Sequence, residues 1–214
     1  MKPLLTIMTG PQGSGNHLFS KALGQNKNIW IWPELQNKYW EGHDMEPFAE
    51  YWKNPELLSK FDWTQSSYYV TSISCPYYDN GIETIPAYHE FVKHASKYAD
   101  IQFLIIGRDP TILEYQQHRV RGKHTTFAFI EQLPDILKHY TSIFASQELL
   151  YLYGLPYLQQ IEKELGLMSH ELTTTDVKLK EILKTNANKK YINDVDSNWL
   201  DNVIKLASSA KGAV

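Results

Sequence analysis

The residues best equipped for chemistry stand near the start of the chain, in Gly10-Pro11-Gln12-Gly13-Ser14-Gly15-Asn16-His17. Glycines at 10, 13 and 15 let a backbone turn sharply and bring its N–H groups close to a ligand. An apolar run, Leu4 to Met8, precedes them as a short buried strand, and Asn16, Leu18, Phe19, Ala22 and Leu23 follow with helical spacing. A helix start adds unpaired N–H groups and the positive end of its dipole, so this layout suits a phosphate. The spacing nearly fits G-x-x-x-x-G-K-[ST], with Gly10 and Gly15 as its glycines. Asn16 and His17 occupy the lysine and Ser/Thr positions, which normally reach the terminal phosphates and hold Mg²⁺. The expectation is a phosphate-binding loop that does not hydrolyse Mg·ATP in the ordinary way; a ligand-free strand-to-helix turn is the alternative.

Two further residues have chemistry and position. Arg108 directly follows the apolar run Ile101–Ile106 and precedes Asp109-Pro110. Its planar fork is suited to gripping a phosphate, unless it pairs with Asp109. Glu34 follows Asn28-Ile29-Trp30-Ile31-Trp32-Pro33 and has the chemistry of a general base.

The elements that must position these groups alternate. Strands are expected at 4–8, 28–32, 68–74, 101–106 and 149–153. Helices are expected from residue 16 and at 86–98, 111–118, 133–147, 156–165, 176–184 and 197–208, with short helices near 47–53 and 55–61, each with a proline in its first turn, and a turn-rich loop at 75–85. This predicts an α/β fold: a parallel β-sheet flanked by helices in three α/β/α layers, with right-handed crossovers. Ligands in such sheets sit beyond the C-terminal strand ends, where the glycine loop, Glu34, Ser74 and Arg108 would converge. Residues 1–214 read as one domain, in which 35–66 is an insertion serving as lid or acceptor region.

Composition sets bounds. The 214 residues are 43% hydrophobic and 21% charged, as in a globular chain with a real core. A net charge of −3 argues against a dedicated nucleic-acid binder. The single cysteine, Cys75, excludes an internal disulfide and fits a reducing, cytoplasmic setting; before Pro76 it reads as a small buried apolar residue. The Leu4–Met8 run is too short for a signal peptide, and no apolar stretch is long enough to span a bilayer. Aromatics cluster between Trp30 and Tyr78, as pocket lining or as core. No metal-ligand spacing is evident in His43-Asp44, His89 and His94.

In order along the chain, TIMTGPQGSGNHLFSKAL (6–23), FLIIGRDPTILEYQQHR (103–119) and ELLYLYGLPYLQQIEKELGL (148–167) resemble the sulfotransferases. The family's first loop binds the 5′-phosphosulfate of 3′-phosphoadenosine 5′-phosphosulfate (PAPS), and the arginine of its Arg-Asn/Asp-Pro segment grips the 3′-phosphate. The resemblance implies a P-loop nucleoside triphosphate hydrolase-like fold in which Pro11, Gln12, Gly13, Ser14, Gly15, Asn16, His17, Arg108 and Gln116 bind PAPS. It implies a catalytic role for Glu34 as the base, beside His17, no required metal, and a hydroxyl or amine acceptor on a small molecule or carbohydrate. This sequence has Gln12 and Gly13 where the family usually has a lysine or arginine, Gln116 where it has a serine, and Asn16 and His17 where it has threonines. A P-loop nucleotide or nucleoside kinase and a non-catalytic nucleotide-binding interaction protein remain as alternatives.

Overall fold

The computed structural model describes residues 2–26, 28–30, 48–79, 81–167 and 177–184. Five strands form one parallel sheet: β1 (Leu4–Pro11), β2 (Ile29–Trp30), β3 (Tyr68–Cys75), β6 (Asp100–Gly107) and β7 (Ser142–Ser146). Their order is β2-β3-β1-β6-β7, so β1 lies at the centre. From β1 the chain goes to the sheet edge at β2, returns to β3 beside β1, and then crosses to β6 and β7 on the other side. That reversal opens a crevice at the C-terminal end of β1, between β3 and β6. A separate antiparallel hairpin, β4 (Tyr77–Asp79) with β5 (Ile82–Thr84), fills part of the expected loop at 75–85.

Alternation along the strands sends side chains to two cores. Leu5, Ile7, Tyr69, Ile73, Phe103 and Ile105 face one side. There they meet Trp52 of α2 (Ala49–Lys53), Leu58 of a 3₁₀ helix (Pro55–Lys60), Phe91 of α3 (Tyr88–Ala95), and Phe129 and Ile136 of α5 (Thr126–His139). Met8, Val70, Leu104 and Ile106 face the other side. They meet Phe19 of α1 (Asn16–Leu23), Leu150 of α6 (Gln147–Tyr153), Leu158 and Ile161 of α7 (Leu155–Glu164) and Leu179 of α8 (Val177–Lys184). This is the expected α/β architecture, with helices on both faces of a parallel sheet. Helix α4 (Pro110–Arg121) leaves the sheet directly after β6.

The described aromatics of the Trp30–Tyr78 stretch are mostly core. Phe48 and Tyr69 are fully buried, and Trp30, Phe61 and Trp63 pack on them with centroid separations of 4.9–5.7 Å. Trp52 stacks on Phe91 at 3.8 Å and donates its indole N–H to Thr71 Oγ1.

The last strand and the helices around it differ from expectation. The fifth strand is Ser142–Ser146, and the run expected as a strand at 149–153 is helix α6. Ser146 caps that helix by accepting the Leu149 N–H, and Gly154, at φ 55°, ends it. An unbroken apolar run such as Leu149–Tyr153 has no period that separates strand from helix, so the cap decides. Helix α5 begins at Thr126, runs through Pro134 and stops at His139, where Tyr140 turns extended. The helix expected over 133–147 therefore begins earlier and ends before β7. Expectations for 31–33 and 197–208, and for the first part of the 35–66 insertion, lie outside the described residues, as do Glu34 and His43. Among the described residues no helix is long and apolar enough to cross a membrane.

Candidate functional site

The glycine loop leaves the central strand where Gly10 and Pro11 still pair with Ser74 and Cys75 of β3. Ser14 N–H donates to Pro11 O at 3.0 Å, which closes the turn. Gly13 and Gly15 hold φ of 85° and 109°, the left-handed region that side chains disfavour. Phe19 N–H then bonds Gly15 O, the first helical bond of α1. The first N–H groups of α1 have no acceptor within the helix, and this helix start stands just beyond the C-terminal end of β1.

Three sets of side chains fix this loop. Asn16 is buried; its Oδ1 accepts from Ser14 Oγ at 3.1 Å and its Nδ2 donates to Ser74 Oγ at 3.2 Å. In the lysine position of the nucleotide-hydrolysing pattern there is thus an amide that ties the loop to β3. Its side chain is used structurally, and only its backbone N–H is presented by the helix start. Gln117, buried on α4, donates Nε2 to Gln12 O at 2.9 Å. Its Oε1 accepts from Thr125 N, Thr126 N and Thr126 Oγ1 at 2.8–3.2 Å, while Thr125 Oγ1 donates to Gln12 Oε1 at 3.1 Å. Each such group left unpaired inside a protein costs about 1–3 kcal/mol, so Gln117 locks the loop against α4 and the start of α5. Neither Gln117 nor Thr125 was signalled by the sequence, because a glutamine on a polar helix face looks like any other.

Arg108 forms the third tie. It is half-buried just beyond β6, and its Nη1 donates to Gly13 O at 2.6 Å and to Gln116 Oε1. A Cβ on Gly13 would run into the Gln116 side chain, so the glycine is needed for this approach. The alternative partner for Arg108, Asp109, is employed otherwise: its carboxylate caps α4 by accepting the Ile112 N–H at 3.0 Å. The structure therefore brings Pro11–His17, Arg108 and Gln116 together at the C-terminal end of β1 and β6. His17 is half-buried on the first turn of α1.

Gln147 was also missed. It is buried at the start of α6 beside Gly15, where an added Cβ would come within 2.9 Å of its Oε1. Among the described residues that buried oxygen has no hydrogen-bond partner. An amide exchanges oxygen for nitrogen by a half-turn, so the same side chain can offer a donor toward the loop.

Cys75 is not an accessible nucleophile. It is fully buried, and desolvation pushes its thiol up to about 12. The basic run after Gln117 is drawn to the β4–β5 hairpin: Arg121 lies over the Tyr78 ring at 4.4 Å, and Lys123 pairs with Glu83 at 3.0 Å.

No family model matches the chain, and no curated protein matches it. Weak likenesses to solved structures are found. The sulfotransferase domain of the Synechococcus PCC 7002 olefin synthase is 13% identical, with a TM-score of 0.48 over 87% of this chain and 78% of that one. Mouse sulfotransferase SULT7A1, solved in complex with PAP, is 13% identical, with a TM-score of 0.43 over 86% of this chain and 63% of that one. An unliganded sugar kinase from Janibacter sp. HTCC2649 is 11% identical, with a TM-score of 0.39 over 76% of this chain and 98% of that one. Likenesses this distant do not choose between a sulfuryl and a phosphoryl donor.

Proposed function

We propose that the protein is a sulfotransferase that takes a sulfuryl group from PAPS to a hydroxyl or amine acceptor. The observation that carries this reading is the junction of Arg108 with Gly13 and Gln116. It joins the glycine loop to the Arg-Asp-Pro segment, two of the three stretches that resemble the sulfotransferases in sequence. On this reading the loop and the start of α1 receive the 5′-phosphosulfate, and Arg108 with Gln116 receives the 3′-phosphate. Sulfuryl transfer spreads negative charge over the sulfuryl oxygens, and donors fixed before the reaction stabilise it without reorganising. Asn16 in place of a Walker lysine disfavours the kinase reading. The acceptor's proton would go to Glu34.

A thermal-shift series tests the donor. Adenosine 3′,5′-bisphosphate without metal is expected to raise the melting temperature more than ATP does, since a ligand bound only by the native state stabilises by RT ln(1 + [L]/Kd). Stabilisation by Mg·ATP alone would replace this reading with a kinase. The base is tested separately once acceptors have been screened with labelled PAPS. Glu34→Gln is expected to keep nucleotide affinity while kcat falls by about 100-fold, because glutamine cannot take the proton. Undiminished turnover in that variant would remove Glu34 from the mechanism. Tight nucleotide binding with no transfer to any acceptor would favour a non-catalytic nucleotide-binding protein.

A further inference from the structure

A second group of chemically able side chains lies on the opposite face of the sheet from α1. His89 stands at the start of α3, and Asp135 and His139 stand one turn apart near the end of α5. One ligating atom of each lies within 4.8 Å of the other two. The Asp135 carboxylate is shared: His89 Nε2 meets Oδ2, and His139 Nδ1 lies 3.1 Å from Oδ1 and 3.0 Å from the Asp135 backbone oxygen, an acceptor it gives up if that nitrogen ligates. The two imidazole rings stand nearly perpendicular, with centroids 5.4 Å apart, so their nitrogens converge without stacking.

We propose that His89, Asp135 and His139 form a binding site for a divalent transition metal of the zinc type, pinning α3 to α5. Two imidazoles and one carboxylate are the donors zinc takes, and four tetrahedral ligands at about 2.0–2.2 Å stand about 3.4 Å apart. The present spacing reaches that by small side-chain rotations. Calcium and magnesium, which require mostly oxygen donors, are poorly matched. Asp135 and His139 are four residues apart on one helix face, which gives two ligands a fixed spacing, and α3 supplies the third across the helix contact. The remaining coordination positions face solvent, since the three side chains are each about half exposed.

The surroundings hold one ligand in the required form. Tyr140 Oη hydrogen-bonds His89 Nδ1. With the proton on Nδ1 donated to that oxygen, Nε2 keeps its lone pair for a metal. Tyr140 is itself stacked on the buried Phe103 at 5.1 Å, so the ring that aims His89 is anchored in the core. Without a metal the three groups form only an exposed cluster of polar contacts, and such surface contacts contribute little.

Zinc titration of the full chain, followed by competition with a chromogenic chelator, tests the site. Wild type is expected to bind zinc, to melt higher in zinc than in EDTA, and to give intense visible d–d bands with cobalt. His89→Gln/His139→Gln and Asp135→Asn are expected to lose one equivalent and the cobalt bands while keeping the EDTA melting temperature. Tyr140→Phe, which removes only the aiming hydroxyl, is expected to weaken affinity by about 10-fold or more. Glu114, His118 and His124 form another exposed group of ligating residues, and they provide the control. His118→Gln/His124→Gln should leave the equivalent at His89 in place. Absence of zinc binding in wild type, an unchanged stoichiometry and cobalt spectrum in His89→Gln/His139→Gln, or loss of both only in His118→Gln/His124→Gln would overturn the proposal.

Discussion

Replacing Arg108 by alanine is expected to weaken binding of adenosine 3′,5′-bisphosphate by about 30- to 700-fold, or about 2–4 kcal/mol, the usual cost of deleting one partner of a desolvated charge pair. The guanidinium carries five donors, and one nitrogen, Nη1, meets Gly13 O and Gln116 Oε1. These two acceptors position the planar fork, whose geometry suits a bidentate grip on a phosphate. Lysine at the same place can restore the charge but not the fork, so Arg108→Lys should recover only part of the loss. Calorimetry on both variants, with the melting temperature as a control for the fold, distinguishes this outcome from loop collapse. Equal affinity in wild type and Arg108→Ala would show that another cation binds the second phosphate, with Arg119 and Arg121 next to be replaced.

Much of this site was legible because its signals are local. A strand, three glycines and a helix within Leu4–Leu23 describe their own geometry, and Ile101–Ile106 followed by Arg108 does the same. The parallel sheet follows from strands alternating with helices. What could not be read depends on partners distant in sequence. Gln117 Nε2 meets Gln12 O across 105 positions, and His89 meets Asp135 across 46. No ligand spacing shows in His43-Asp44, His89 and His94, because the groups that meet His89 lie far along the chain, while His94 Nε2 is with Glu90 at 3.0 Å. The last strand was missed for a physical reason as well. β7 lies at the edge of the sheet with Phe144 exposed, so Ser142–Ser146 lacks the buried pattern that marks β6, while the more apolar 149–153 run beside it belongs to a capped helix.

The spacing between the loop and Arg108 is set at Gly10, and here the largest effect on stability is expected. A Cβ at Gly10 would collide with the backbone oxygen of Ile106 and lie 2.6 Å from Ser14 Oγ, both closer than the 3.0 Å that real Cβ atoms keep. Ser14 can rotate its hydroxyl, but the Ile106 carbonyl belongs to the neighbouring strand β6 and cannot move alone. Gly10→Ala must therefore push β1 and β6 apart at their C-terminal ends, an overpacking that costs about 3 kcal/mol. Arg108 stands two residues beyond Ile106, so the same displacement draws its Nη1 away from Gly13 O. Chemical denaturation should show the lost stability, and nucleotide titration below the unfolding midpoint should show weaker binding in the molecules that remain folded. Gly107 provides the comparison on the same strand. A Cβ there meets only Ala145 O at 3.8 Å, an ordinary contact, so Gly107→Ala should stay within about 1 kcal/mol of wild type and keep its affinity. If Gly10→Ala proves as stable as Gly107→Ala, the two strands have slack at this end, and the contact between Gly10 and Ile106 does not hold the loop against Arg108.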